Sequence, residues 1–133
     1  MKDVLDSRFF SAHFGGENEV VLRATRAKLA QLRRERRGIL PAVVIAELAD
    51  VTCRGEGRSR AREILRALLV SGLEIVPMDA EIAAEAGLLR CSYRDLPIAD
   101  AIVAAIALRA DGRVISDDPH FRRIKGLRVA WVT

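Results

Sequence analysis

The chain has 133 residues, half of them hydrophobic and 30% charged, with a net charge of +4 and a pI of about 9.7. That length fits one domain around one core, and the composition excludes a disordered chain. No apolar run nears the ~20 residues of a membrane span, and two distant cysteines, Cys53 and Cys91, exclude a disulfide framework.

KDVLD, residues 2–6, reads as a short strand ending in an acid, and SRFFSAHF as a helix broken at Gly15 and Gly16. A long helix is predicted from Glu17 to Arg37, because Leu22, Thr25, Leu29 and Leu32 recur at helical spacing. Glu17 and Glu19 at its start and Arg33, Arg34, Arg36 and Arg37 at its end complement the helix dipole, with Gly38 as the stop. GILPAV is the second strand, VVIAELADV (43–51) a mostly apolar helix, and RGEGRS a polar loop. Ala61, Ile64, Leu65, Leu68 and Leu69 form the stripe of the next helix, which Gly72 closes. LEIVPM (73–78) is the third strand. Asp79 caps a helix carrying Ile82, Ala86 and Leu89. After a loop near 92–96 comes a helix over 97–110, stopped by Gly112. RVIS is a strand, DPHFRRI a turn with a short helix, and LRVAWV the last strand. Short apolar strands separated by helices predict an α/β fold, a parallel sheet with helices on both faces.

Five acids fall where burial or a strand end is expected. In parallel α/β sheets, ligands bind outside the carboxyl ends of the strands. Asp6 ends the first strand, and Asp117 and Asp118 follow RVIS. Glu47 interrupts the apolar VVIAELA. Asp100 is the one polar residue among the eleven from Ile98 to Leu108. An ionised carboxylate in an apolar setting is unfavourable by several kcal/mol or more unless paired or coordinated, on the order of what buried ion pairs lose when broken. Three of the acids also have a plain structural reading. Asp6 can cap the following helix, Glu47 can lie on an exposed flank, and Asp118 with Pro119 is a common helix start. Asp100 has no such exposed face to occupy. Taken together, Asp6, Glu47, Asp100 and Asp118 would repel one another without a counter-ion. A hard divalent cation, Mg²⁺ or Mn²⁺, resolves that repulsion and can support phosphodiester hydrolysis. The two histidines, His13 and His120, read as packed or surface residues and not as a zinc site, so any metal is expected on oxygen ligands.

The ordered segments VLDSRFF, IAELAD, LPIADAIVAAIAL and VISDDPHF resemble the PIN-domain family, of the kind that includes VapC-type ribonuclease toxins. The resemblance spans nearly the whole chain, residues 1–133 as a single nuclease domain. It implies a three-layer α/β/α sandwich with a central parallel sheet of four or five strands. It implies a Mg²⁺- or Mn²⁺-dependent endoribonuclease in which Asp6, Glu47, Asp100 and Asp118 hold the metal and carry the chemistry. Ser7 would orient Asp6 through its hydroxyl, with Asp117 as a further nearby acid. A small antitoxin and a homodimer follow from the same resemblance, and the default setting is cytoplasmic. The opening MKDVLDSRFF, without an apolar signal core, agrees with that setting and with no membrane attachment.

Arg8 departs from the family pattern, and its guanidinium is expected either to pair with one of the acids or to reach toward substrate phosphate. Arg54, Arg58, Arg60 and Arg62 either track an RNA backbone or pair with Glu56 and Glu63 on a solvated flank. Phe9, Phe10 and Phe14 serve either as interface anchors or as core. A housekeeping RNA-processing nuclease and an inactive RNA- or protein-binding module are the alternatives. A phosphoacceptor receiver domain also clusters acids at strand ends, but no lysine stands directly after RVIS or LRVAWV to close such a site.

Overall fold

The computed structural model describes residues 1–16 and 18–133; Glu17, expected to open the second helix, lies outside the described residues. The apolar segments form five strands: β1 (Asp3–Leu5), β2 (Gly38–Pro41), β3 (Glu74–Val76), β4 (Arg113–Ile115) and β5 (Arg128–Ala130). All pair in parallel in the order β3-β2-β1-β4-β5. In register, Val4 lies opposite Ile39 on one side and Val114 on the other. These residues, with Leu5, Leu40 and Ile115, are buried on both faces of the sheet, which is why the inner strands read as continuous apolar runs without alternation.

The helices are α1 (Ser7–Gly15), α2 (Glu19–Glu35), α3 (Ala42–Glu56), α4 (Arg58–Leu69), α5 (Ala80–Ser92), α6 (Ile98–Arg109) and the short α7 (Pro119–Arg122). They cover both faces and complete the three-layer α/β/α sandwich expected from the sequence. α6 is its central helix. Eight consecutive residues, Asp100–Ala107, are buried, as expected of a helix that is apolar all round. It packs against β1, β4, α3, α5 and α7, and four alanines in that stretch present little bulk to those neighbours.

Two boundaries differ from the sequence reading. RGEGRS is not a loop: α3 runs to Glu56 and α4 starts at Arg58, so Gly57 alone separates them. Its φ of 92° is accessible to glycine and strained for other residues. The polar residues that suggested a loop are the exposed faces of two helices, where Arg54 pairs with Asp50 and Arg60 with Glu63. The second correction concerns Gly38. α2 stops at Arg36, which takes the left-handed conformation (φ 53°), while Gly38 belongs to β2. A Cβ on Gly38 would lie 2.5 Å from the Leu73 side chain and 3.1 Å from Leu32 Cβ, so close packing, not a helix stop, calls for glycine there.

At the amino end of the sheet, Asp3 is fully buried and held by three cations: Arg113 at 2.8 Å, Lys28 at 2.9 Å and Arg37 at 3.1 Å. Burial alone would raise its pKa, but the hydrogen bonds and positive charges of Arg113 and Lys28 together outweigh it and leave the carboxyl below its ordinary value. No described helix is long and apolar enough to cross a membrane.

Candidate active site

The strand order reverses between β1 and β4: the chain steps from β1 to β2 and β3 on one side, and from β4 to β5 on the other. A crevice at the carboxyl ends of the strands follows from that reversal. Asp6 leaves β1 into it, and Ser116–Asp118 leave β4 beside it. Pro41 ends β2 and leads directly into α3, which carries Glu47 two turns along. α6 brings Asp100 on its first turn.

Asp6 is buried and caps α1, as its structural reading expected. Its Oδ2 accepts the Ser116 hydroxyl at 2.8 Å and the Arg8 backbone N–H at 3.4 Å. Its Oδ1 is buried without a partner. Asp118 caps α7, accepting the His120 backbone N–H at 2.9 Å, and its own N–H donates to Ser116 Oγ at 3.0 Å. Ser116 therefore ties Asp6 to Asp118. The hydroxyl on Asp6 is that of Ser116 and not that of Ser7, which was expected to supply it. Glu47 Oε1 is also buried without a partner.

Electrostatics sets these acids apart from Asp3. Among the described residues, no arginine or lysine lies within ion-pair distance of Asp6, Glu47, Asp100 or Asp118. Burial pushes Glu47 up to about 7, and the Asp6 charge adds to the shift. Burial pushes Asp100 up to about 7 as well, followed by the charges of Asp6, Asp118 and Glu47. Asp6 rises for the same first reason, against the hydrogen bonds that favour its ionised form. Acids with raised pKa values at Asp6, Glu47 and Asp100, and buried oxygens of Asp6 and Glu47 left unpartnered, fit the donor set of a hard divalent cation.

Arg8 turns away from the four acids. It makes a two-pronged contact with Asp117, Nε to Oδ1 at 2.9 Å and a terminal nitrogen to Oδ2 at 3.3 Å, at the protein surface. Asp117 is thus occupied outside the cluster. Both residues line a cleft of about 340 Å³ with Ser11, Asn18 and Trp131, while the four acids are not among its lining residues. Arg60 pairs with Glu56 and Glu63, as the flank reading expected. Phe9 and Phe10 are buried core, which removes them as interface anchors, and Phe14 is half-buried against that core.

His120 is the residue that sequence reasoning passed over. His13 is packed, with Nδ1 2.9 Å from the Thr25 hydroxyl. His120 instead joins the acids: its Nδ1 lies 2.8 Å from Asp118 Oδ1 and 3.6 Å from Asp100 Oδ2. Donor atoms of Asp100, Asp118 and His120 all fall within 4.8 Å of one another. The available signal was its place one residue after Pro119, which ties it to the turn that Asp118 caps.

The profile of the PIN domain matches residues 4–127. The chain belongs to the PIN-domain family. No significant match was found among curated proteins, so the remaining comparisons are between structures. This PIN domain superposes on VapBC2 of Rickettsia felis, solved with a fragment of its promoter DNA, with a TM-score of 0.80, 17% identity and full coverage of both chains. DNA-bound VapBC of Salmonella typhimurium gives 0.80 at 19% identity, covering 100% of this chain and 99% of that one. A sarcin–ricin-loop-cleaving VapC toxin of Mycobacterium tuberculosis gives 0.64 at 17%, with 88% and 90% covered. At these identities the likeness is one of fold.

Proposed function

We propose that this PIN domain is a divalent-metal-dependent endoribonuclease, the toxin of a VapBC-type toxin–antitoxin pair. The observation that carries the reading is an acidic cluster at the sheet's reversal point with no arginine or lysine in ion-pair reach among the described residues, and with buried oxygens of Asp6 and Glu47 left without partners. Asp3 shows what this chain does with a buried acid kept for structure: it surrounds it with three cations. Its withholding of such cations from four other acids favours a ligand. Asp6, Glu47, Asp100 and Asp118 would hold Mg²⁺ or Mn²⁺, which when bound supplies a water of lowered pKa and neutralises phosphate charge.

The chain's own groups do the positioning. Ser116 fixes the Asp6 carboxylate and the Asp118 backbone in one hydrogen-bonded unit. Asp6, held by Ser116, or Asp100, held by the buried α6, would orient an attacking water toward the phosphodiester. Arg8, engaged with Asp117, makes no ion pair with the four acids, which supports the reading of an active domain over an inactive one. Structural relatives solved as toxin–antitoxin complexes, and one named for cleaving the sarcin–ricin loop, support RNA as substrate and a small antitoxin as partner. A homodimer belongs to the same reading.

Cleavage of a panel of structured RNAs with Mg²⁺, Mn²⁺ or EDTA tests it. The wild type is expected to cut with either metal and to stop in EDTA, and Asp100→Asn to lose cleavage by at least about 10²-fold, the scale on which positioned catalytic groups act. Undiminished cleavage in EDTA or by that variant would reject the assignment.

A further inference from the structure

We infer that His120 is a metal ligand, and that its imidazole gives the Asp100–Asp118 site a preference for a divalent transition ion over Mg²⁺. This inference rests on the proposed metal site and specifies its ion class. Three observations carry it. First, Nδ1 of His120 is buried and makes no hydrogen bond, although the side chain as a whole is one-third exposed. Its nearest polar atom is Asp118 Oδ1, which already accepts the His120 backbone N–H, so the nitrogen faces a carboxylate without forming a hydrogen bond to it. Second, its separations of 2.8 Å from Asp118 Oδ1 and 3.6 Å from Asp100 Oδ2 match two donors on one ion. With bonds of about 2.1 Å, adjacent ligands lie ~3 Å apart and opposite ones ~4.2 Å. Third, the backbone fixes this geometry independently of the ring. His120 N–H donates to Asp118 Oδ1, so the side chain leaves the same turn that Asp118 caps.

The chemical consequence concerns ion choice. Oxygen donors alone suit Mg²⁺ and Mn²⁺ alike, whereas Mg²⁺ demands oxygen and keeps its waters. A neutral imidazole nitrogen adds affinity for first-row transition ions, rising from Mn²⁺ toward Co²⁺ and Ni²⁺. Ligation uses the lone pair of Nδ1 and leaves the proton on Nε2.

The test uses the full chain loaded with Mn²⁺ alone. Pulsed electron paramagnetic resonance of the Mn²⁺ protein is expected to show coupling to a directly bound nitrogen. Growth with ¹⁵N-histidine should change that coupling to its ¹⁵N form, without any mutation. In calorimetry, His120→Gln should weaken Mn²⁺ and Co²⁺ by at least about tenfold, as loss of a metal contact does, and Mg²⁺ by less than about threefold. Mn²⁺ that binds and is lost in Asp100→Asn, but shows no histidine nitrogen coupling, overturns the His120 assignment and leaves the carboxylate site standing. Absence of Mn²⁺ binding in the wild type overturns both.

Discussion

Asp3 and Asp100 are two buried aspartates whose substitution by asparagine should act in opposite directions. Asp3 is enclosed by Lys28, Arg37 and Arg113. Asp3→Asn removes the negative partner and leaves three partly buried cations facing one another, so a loss of about 3–5 kcal/mol is expected in urea denaturation. Asp100 lies among other acids that push its pKa up, with no arginine or lysine in ion-pair reach among the described residues. Asp100→Asn should raise the stability of the metal-free protein by on the order of 1–3 kcal/mol, read from thermal melts in EDTA. If both variants were destabilised alike, the electrostatic contrast between the two ends of the sheet would be wrong. The Arg8–Asp117 pair supplies a control, since both side chains are well exposed. Asp117→Asn should shift stability by less than about 1 kcal/mol. This contrast also marks what was legible at this scale. Asp6, Glu47, Asp100 and Asp118 stand out as acids in apolar company or at strand ends. Asp3 carries the same signature in KDVLD, and its cations, up to 110 residues away in sequence, could not be paired with it from the sequence. His120 was missed because a lone histidine has no metal-ligand spacing; only the fold brings Asp100 to it.

At the scale of elements, the order of strands and helices was readable because the strands are short apolar runs, helices such as α2 and α4 carry a periodic stripe, and α6 is a long apolar run. Glycines were harder, since one residue type serves three purposes here. Gly55 and Gly57 both suggested a loop in RGEGRS, yet Gly55 is an ordinary helical residue of α3 and Gly57 is the break. The two should therefore respond oppositely to alanine. Gly55→Ala meets no atom within 4 Å and should stabilise by about 0.5–1 kcal/mol through helix propensity and lost unfolded-state freedom. Gly57→Ala forces a side chain into φ 92° and should destabilise by about 1–3 kcal/mol. Equal shifts in the urea midpoint would contradict the continuous α3. Gly112 is a third case. It was read as the stop of α6, but Asp111 takes the left-handed turn (φ 50°). A Cβ on Gly112 would lie 2.6 Å from the Lys2 backbone oxygen, so the glycine is needed where the chain passes close to the start of β1.

The whole molecule stores opposite electrostatics at the two ends of one sheet, and pH separates them. Asp3 has a folded pKa below its unfolded value of about 3.9. Its contribution is present above that value and is lost as pH falls through the folded one. Glu47 and Asp100 have folded values of about 7, above unfolded values of about 4.3 and 3.9. Their contribution runs the other way: it is present below pH ~4 and is lost as pH rises toward 7, because the folded state then holds charges it disfavours. The metal-free protein should consequently be most stable near pH 4–5 and weaken by about 2–4 kcal/mol on going to pH 8. A divalent ion binds only the deprotonated donors, so its stabilisation should grow over the same interval. Melting temperatures at pH 4.5, 6 and 7.5, with EDTA or saturating Mn²⁺, should thus start together and diverge upward in pH, the EDTA series falling while the Mn²⁺ series holds. A gap of the same size at every pH would mean that the ion stabilises the fold without engaging these carboxylates, since binding that displaces no protons cannot depend on their titration.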